Sequence, residues 1–146
     1  MVSEGIPRAE DDVIDVLAGL GLFADLSRPQ LEAVAHTFDE EIFAEGQRAI
    51  RQGFEGTGFY VIMEGTASVR VDGEERAALG RGEYFGEVSA LLGAAPIADV
   101  VATTPLRCLV LPGTDVEGFL VAYPTVMYRM LQTQARRLQS ATRWRS

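Results

Sequence analysis

The sequence predicts a mainly β protein with flanking α-helices, a jelly roll closed at both ends by helical segments. Three observations predict it. Between Phe38 and Gly113 short apolar pieces recur at near-regular spacing, separated by Gly and Asp. Within that run Asp72-Gly73 is a tight-turn pair of the kind that joins two antiparallel strands. On either side, residues 10–37 and 114–143 change to the capping and periodicity signals of helices. With 146 residues and 47% hydrophobic content the chain can bury one sizeable core, so 1–146 is expected to be one domain.

The elements follow in order. Glu10 to Leu20 and Ser27 to Thr37 read as two short helices. Ser27 followed three residues later by Gln30 matches a capping box, in which each side chain satisfies a backbone amide of the first turn. A β-roll is expected over 38–112, with strands in FDEEIF, RAIRQG, GFYVIMEG, TASVRVDG, EERAALG, VVATTP and LRCLVLPG. A short apolar helix, Val88 to Leu92, interrupts the run. Two closing helices occupy 114–143: Thr114 is placed to cap the first, Tyr123-Pro124 breaks it, and a longer helix runs from about Thr125 to Arg143. Gly53 to Gly58 does not match the GxGxxG dinucleotide spacing and opens no helix, so it reads as a strand-connecting turn.

Composition excludes several classes. The net charge is −8, and five of the 13 basic residues (Arg129, Arg136, Arg137, Arg143, Arg145) lie in the last 18, which contain no acid. The acidic remainder repels phosphate backbones, so nucleic-acid binding is not expected, and the terminal arginines read as complements to a helix dipole. No apolar run approaches the roughly 18 residues of a membrane span, and the acidic N-terminus does not resemble a secretory signal, so a cytoplasmic protein without membrane contact is expected. Cys108 is the only cysteine and His36 the only histidine. No intrachain disulfide, His-rich metal site or nucleophile–base triad can be built from them, and no enzyme is expected. The acidic clusters Glu10-Asp11-Asp12 and Asp39-Glu40-Glu41 read as solvated faces.

The order of these pieces carries more information than any one of them. LFADLSRPQLEAVA, FAEGQRAIRQG, GFYVIMEGTASV, FGEVSALLG and LQTQARRLQ occur in the sequence and spacing of the cyclic-nucleotide-binding domain, and the chain resembles that family over nearly its whole length. The last piece resembles the start of the dimerising helix of the catabolite activator protein group. The resemblance implies a double-stranded β-helix fold, a regulatory role, and cyclic AMP or cyclic GMP as candidate ligands. It also implies a phosphate-binding cassette in Gly82 to Val101, with Gly86, Glu87, Val88, Ser89, Ile97 and Ala98 as its ligand-binding positions. In the family the glycine admits the ligand to the backbone, and the glutamate accepts from the ribose hydroxyl. The first amides of the short helix suit a phosphate.

One cassette position departs from the pattern. Ile97 stands where the family places its phosphate-gripping arginine, so two charge-assisted hydrogen bonds are missing. Asp99, two residues on along an expected strand, would share the face of Ile97 and repel an anion. Arg136 or Arg137 from the closing helix, or Arg70, Arg81 or Arg107, are the candidates to replace the missing charge. Three functional readings follow. One is a stand-alone regulatory or interaction module with weakened or lost nucleotide binding. A second is a sensor of cyclic AMP, cyclic GMP or another small ligand in an altered pocket, and a third the N-terminal effector domain of a DNA-binding transcription regulator.

The sequence also gives a partner. Met127, Leu131, Leu138 and Ala141 recur at spacings of three, four or seven along the last helix, with Trp144 beyond and Gln134 interrupting the stripe. Its N-terminal part is expected to pack on the barrel of the same chain. The part from Leu138 onward is expected to join a parallel homodimer, with Gln134 fixing its register. A protein partner outside the homodimer is also expected.

Overall fold

The structure is a computed structural model and describes residues 9–54 and 58–142. Helix α1 (Ala9–Ala18), a 3-10 turn (Gly21–Phe23) and α2 (Arg28–Thr37) precede the strands. Ser27 caps α2 as its sequence signals: its Oγ accepts from the Gln30 amide at 3.4 Å, and Gln30 Oε1 accepts from the Ser27 amide at 2.9 Å.

Eight strands follow: β1 (Asp39–Phe43), β2 (Arg48–Ile50), β3 (Gly58–Glu64), β4 (Ala67–Val71), β5 (Glu74–Leu79), β6 (Tyr84–Phe85), β7 (Asp99–Ala102) and β8 (Leu106–Pro112), with α3 (Glu87–Leu92) between β6 and β7. They form two four-stranded antiparallel sheets, ordered β1-β8-β3-β6 and β2-β7-β4-β5. This is the jelly-roll arrangement. The β4–β5 hairpin closes at Asp72-Gly73 with φ of 53° and 81°, the doubly positive geometry of a tight hairpin turn. β6, only two residues long, carries no periodicity signal of its own and escapes sequence reading.

Strand alternation divides the core in two. From β3, Phe59, Val61 and Met63 face the helices, whereas Tyr60 and Ile62 face the opposite sheet. β8 repeats the pattern with Leu109 and Leu111 outward, Leu106 and Cys108 inward. This two-sided burial explains why GFYVIM is apolar without interruption. Phe38 stands at the centre of the helix-side layer, edge-on to Phe23, Phe59 and Phe119. Burial pushes the Cys108 thiol up to about 12 and suits it to packing rather than reactivity.

Not all acids are merely solvated. Arg107 on β8, largely buried, donates to Glu40 at 2.7 Å, Glu64 at 2.9 Å and Asp12 at 3.2 Å, so one member of each acidic cluster helps fasten α1 and β1 to the sheet. Its pKa is pushed up, chiefly by the bond to Glu40.

At the C-terminal side Thr114 caps nothing. A second 3-10 turn, Gly113–Asp115, leads into α4 (Val116–Ala122), whose N-cap position is Asp115 without a side-chain cap bond. Tyr123 ends α4 and Pro124 begins α5 (Pro124–Thr142), the position where a missing N–H costs least. Among the described residues no helix is long and apolar enough to cross a membrane, and no group of three His, Cys, Asp or Glu is placed to hold a metal ion.

Candidate functional site

The site is built on a glycine. Gly86 follows β6 with φ of 86°, and a Cβ there would lie 2.0 Å from the carbonyl oxygen of Gly58 at the start of β3. Only glycine fits so close a backbone approach. That turn aims the next residue, Glu87, into the interior. As the first residue of α3 it is 3% exposed, an unusual place for a carboxylate unless it is paired.

Its partners come from α5. Glu87 Oε2 accepts from Arg137 Nη1 at 2.9 Å and from Gln134 Nε2 at 3.0 Å; Oε1 accepts no hydrogen bond among the described residues. Arg137 lies over the Tyr84 ring at 4.8 Å and donates to the Tyr84 carbonyl at 3.3 Å. The Tyr84 hydroxyl donates to Gln134 Oε1 at 3.0 Å. Burial raises the pKa of that phenol, partly offset by the Arg137 charge. Thus the glutamate position is already neutralised from within the chain.

Beside this network lies a cavity of about 410 Å³ between the sheets and α3. All six residues expected from the sequence, Gly86, Glu87, Val88, Ser89, Ile97 and Ala98, line it. The remaining wall is mostly aliphatic, from Ile50, Val69, Leu79 and Val100, with Phe85 stacked on Tyr60 at 4.8 Å. Ile97 sits on the rim, 73% exposed, and Val88 is partly exposed. Ser89 is buried within α3. Of the arginines expected as replacements, Arg137 lines the cavity but is held by Glu87; Arg70 donates to Ser68, Arg107 holds its three carboxylates, and neither of these nor Arg81 or Arg136 lines it.

Two expectations about this region are corrected. Asp99 does not face the cavity. Residues 97–98 form a bend, β7 begins only at Asp99, and strand alternation therefore does not reach back to Ile97. The Asp99 carboxylate instead accepts from the Gln52 amide at 2.7 Å, with Arg48 at 3.8 Å, and only Val100 of the pair turns inward. Second, the inward face of α5 is Val126, Met130, Gln134 and Arg137, one residue out of phase with the expected stripe. Met127 (42%), Leu131 (63%) and Leu138 (66%) are exposed, so the N-terminal part of the stripe is not covered by the barrel. Gln134 belongs to the site rather than to a seam. Trp144 lies outside the described residues.

Sequence reasoning missed Arg76 entirely. It stands exposed on strand β5 and lines the cavity. Its sequence context, EERAAL, gives no sign of this.

The site is thus a cavity in a jelly roll, with a glycine–glutamate turn and a short helix at one wall. The family model for the cyclic nucleotide-binding domain matches residues 40–123, and the chain belongs to that family. It is 29% identical over 99 residues to the cGMP-dependent protein kinase egl-4 of Caenorhabditis briggsae, covering 64% of this chain and 13% of the kinase. The alignable part is therefore a small share of that enzyme. The N-terminal domain of a transcriptional regulator from Streptomyces coelicolor A3(2) is 31% identical, with a TM-score of 0.65 over 88% of this chain and 92% of that domain. The catabolite activator protein of Thermus thermophilus is 30% identical, with a TM-score of 0.73 over 82% of this chain and 59% of that protein.

Proposed function

We propose that this domain is a regulatory module in which cyclic-nucleotide binding is weakened and which acts through protein contacts, foremost a homodimer along α5. One observation carries the reading: Ile97 supplies no charge at the arginine position, and Arg137, the α5 arginine that lines the cavity, is already bound to Oε2 of Glu87. A cyclic phosphate seated against Ile97 would give up water without gaining a guanidinium from that position. The exposed residues Met127, Leu131 and Leu138, spaced by four and seven along a helix of 19 residues, support the dimer. Calorimetry with cyclic AMP and cyclic GMP tests the first part. Dissociation constants weaker than about 100 µM are expected, about 5.5 kcal/mol or less of binding energy; micromolar binding overturns it.

A second reading, a sensor of another small ligand, is favoured by the cavity itself. At about 410 Å³ it lies within the roughly 300–1,000 Å³ of small-molecule sites, and no side chain has filled it. Either module would serve as the effector domain of a transcription regulator, which the likeness to the Streptomyces domain supports.

A further inference from the structure

We propose that the cavity takes a small monoanion with an apolar body, its acid group held at the mouth by Arg76 and Arg136 rather than at the α3 cassette. The proposal rests on the small-ligand reading above and adds the chemistry and orientation of the ligand.

The cavity does not end at its aliphatic walls. Arg76, Ala77, Tyr84 and Arg137 also line an adjoining groove of about 800 Å³ beside α5, so the two spaces meet along those residues. The groove is polar where the cavity is apolar, and it gathers four arginines: Arg76, Arg129, Arg136 and Arg137. Two of them are already engaged. Arg129 is bound by Asp25 at 2.8 and 3.0 Å, a contact that also lowers the Asp25 pKa, and Arg137 is bound by Glu87. Arg76 and Arg136 make no ion pair among the described residues; Arg136 donates to the Thr133 hydroxyl at 3.3 Å. The one further carboxylate in the groove, Glu83, accepts from the Gly80 amide at 2.9 Å.

The charges at the mouth thus leave one positive charge uncompensated, in a protein whose net charge is −8. An anion is repelled by the body of the molecule and attracted at this point. Guanidinium groups suit a carboxylate or other planar oxyanion, which they can hold by paired hydrogen bonds. Inside, nothing rewards a second charge or a polar body, because Glu87 is paired and the walls are aliphatic. An apolar body fills that space by ordinary burial. The charge distribution therefore reverses the orientation expected from the cassette, with the acid pointing away from α3.

Octanoate and octanol, matched in chain length and differing in the acid, are the probes. Titration of the intact chain by calorimetry, with chemical-shift changes at Val69, Leu79 and Val100 as the locator, is expected to show octanoate binding at least about fivefold tighter than octanol, by the strength of a charge-assisted hydrogen bond at a partly wetted site. The preference should shrink with added salt. Arg76→Gln with Arg136→Gln should abolish it and leave octanol binding and the circular dichroism spectrum unchanged, since both side chains are exposed. Equal binding of the two probes, unaffected by the substitutions, overturns the orientation and leaves the small-ligand reading standing. Failure of both up to about 1 mM overturns that reading along with it.

Discussion

Ile97→Arg is the substitution that most directly tests how this cassette works. The side chain is 73% exposed on a bend before β7 and buries little apolar area, so an arginine fits without displacing core and folding stability should change by no more than about 0.5 kcal/mol. In a sealed site a charge-assisted hydrogen bond contributes roughly 1.5–3 kcal/mol, about 10- to 150-fold in affinity. At an exposed rim, water and salt screen the pair, and the lower end applies. A gain of about tenfold for cyclic AMP is therefore expected. Ile97→Gln, polar and uncharged, should gain less than about threefold, and raising the salt concentration should narrow the difference between the two variants. Calorimetry on the three proteins at two ionic strengths reads all of this. If Ile97→Arg binds no better than Ile97→Gln, the missing guanidinium is not what weakens the site, and the reasoning fails.

Other substitutions examine the frame around it. Gly86→Ala would place a Cβ 2.0 Å from the Gly58 carbonyl at a φ of 86°, so a loss above about 3 kcal/mol is expected, whereas Gly73→Ala, with open space around it, should lose about 1 kcal/mol; thermal melts that rank them otherwise refute the close approach. Leu131→Glu and Leu138→Glu, both on exposed side chains, should convert a dimer of about 32 kDa to a monomer without changing the melting temperature of the domain at low concentration; sedimentation showing a monomer of 15.9 kDa in the unaltered protein at tens of micromolar counts against the dimer. Burial raises Cys108 from 9.0 and Tyr60 from 10.0, each to about 12, so the folded chain keeps protons that the unfolded chain releases. Their contribution is whole below pH about 9 and is lost as the pH rises toward 12; a flat stability between pH 9 and 11 in urea titrations refutes it, and Cys108→Ala should make the decline shallower.

What the sequence made legible was whatever depends on near neighbours in the chain. The α2 cap and the Asp72-Gly73 turn are local devices, each announced by residue type and spacing. The six positions taken from the family resemblance all line the cavity because Gly86 to Ser89 and Ile97 to Ala98 belong to one turn, helix and bend beside it. The misreadings share a different cause. Asp99 was placed by extending strand alternation through a bend, and the α5 stripe was placed one residue, about 100°, off the buried face. That helix has an apolar residue on both sides of the line, Val126 and Met130 inward, Met127 and Leu131 outward. Periodicity alone cannot say which of two such faces meets the barrel. Arg76 was invisible for a related reason: an arginine on an edge strand reads as solvated until a groove is seen beside it.

The pairing of Glu87 with Arg137 links these two faces. Glu87 is 50 residues from Arg137 in the chain, and the contact fixes α5 by its inward side to the wall of the cavity. Gln134, bridging Glu87 and Tyr84, fixes the same turn a second time. The exposed residues Leu131 and Leu138 lie on the far side of that turn. A ligand that takes over Oε2 of Glu87 must displace Arg137 and Gln134, and with them the bonds that set the rotation of α5. One that occupies only the aliphatic cavity and the Arg76 mouth leaves them in place. Under the proposed dimer, binding at the cassette should be coupled to contacts along the stripe through this one helix, and reciprocity then requires a partner seated on α5 to shift affinity at Glu87 by the same factor that the ligand shifts the partner. That coupling separates the two kinds of ligand: measured against a dimer, only one that competes for Glu87 should change the monomer–dimer constant.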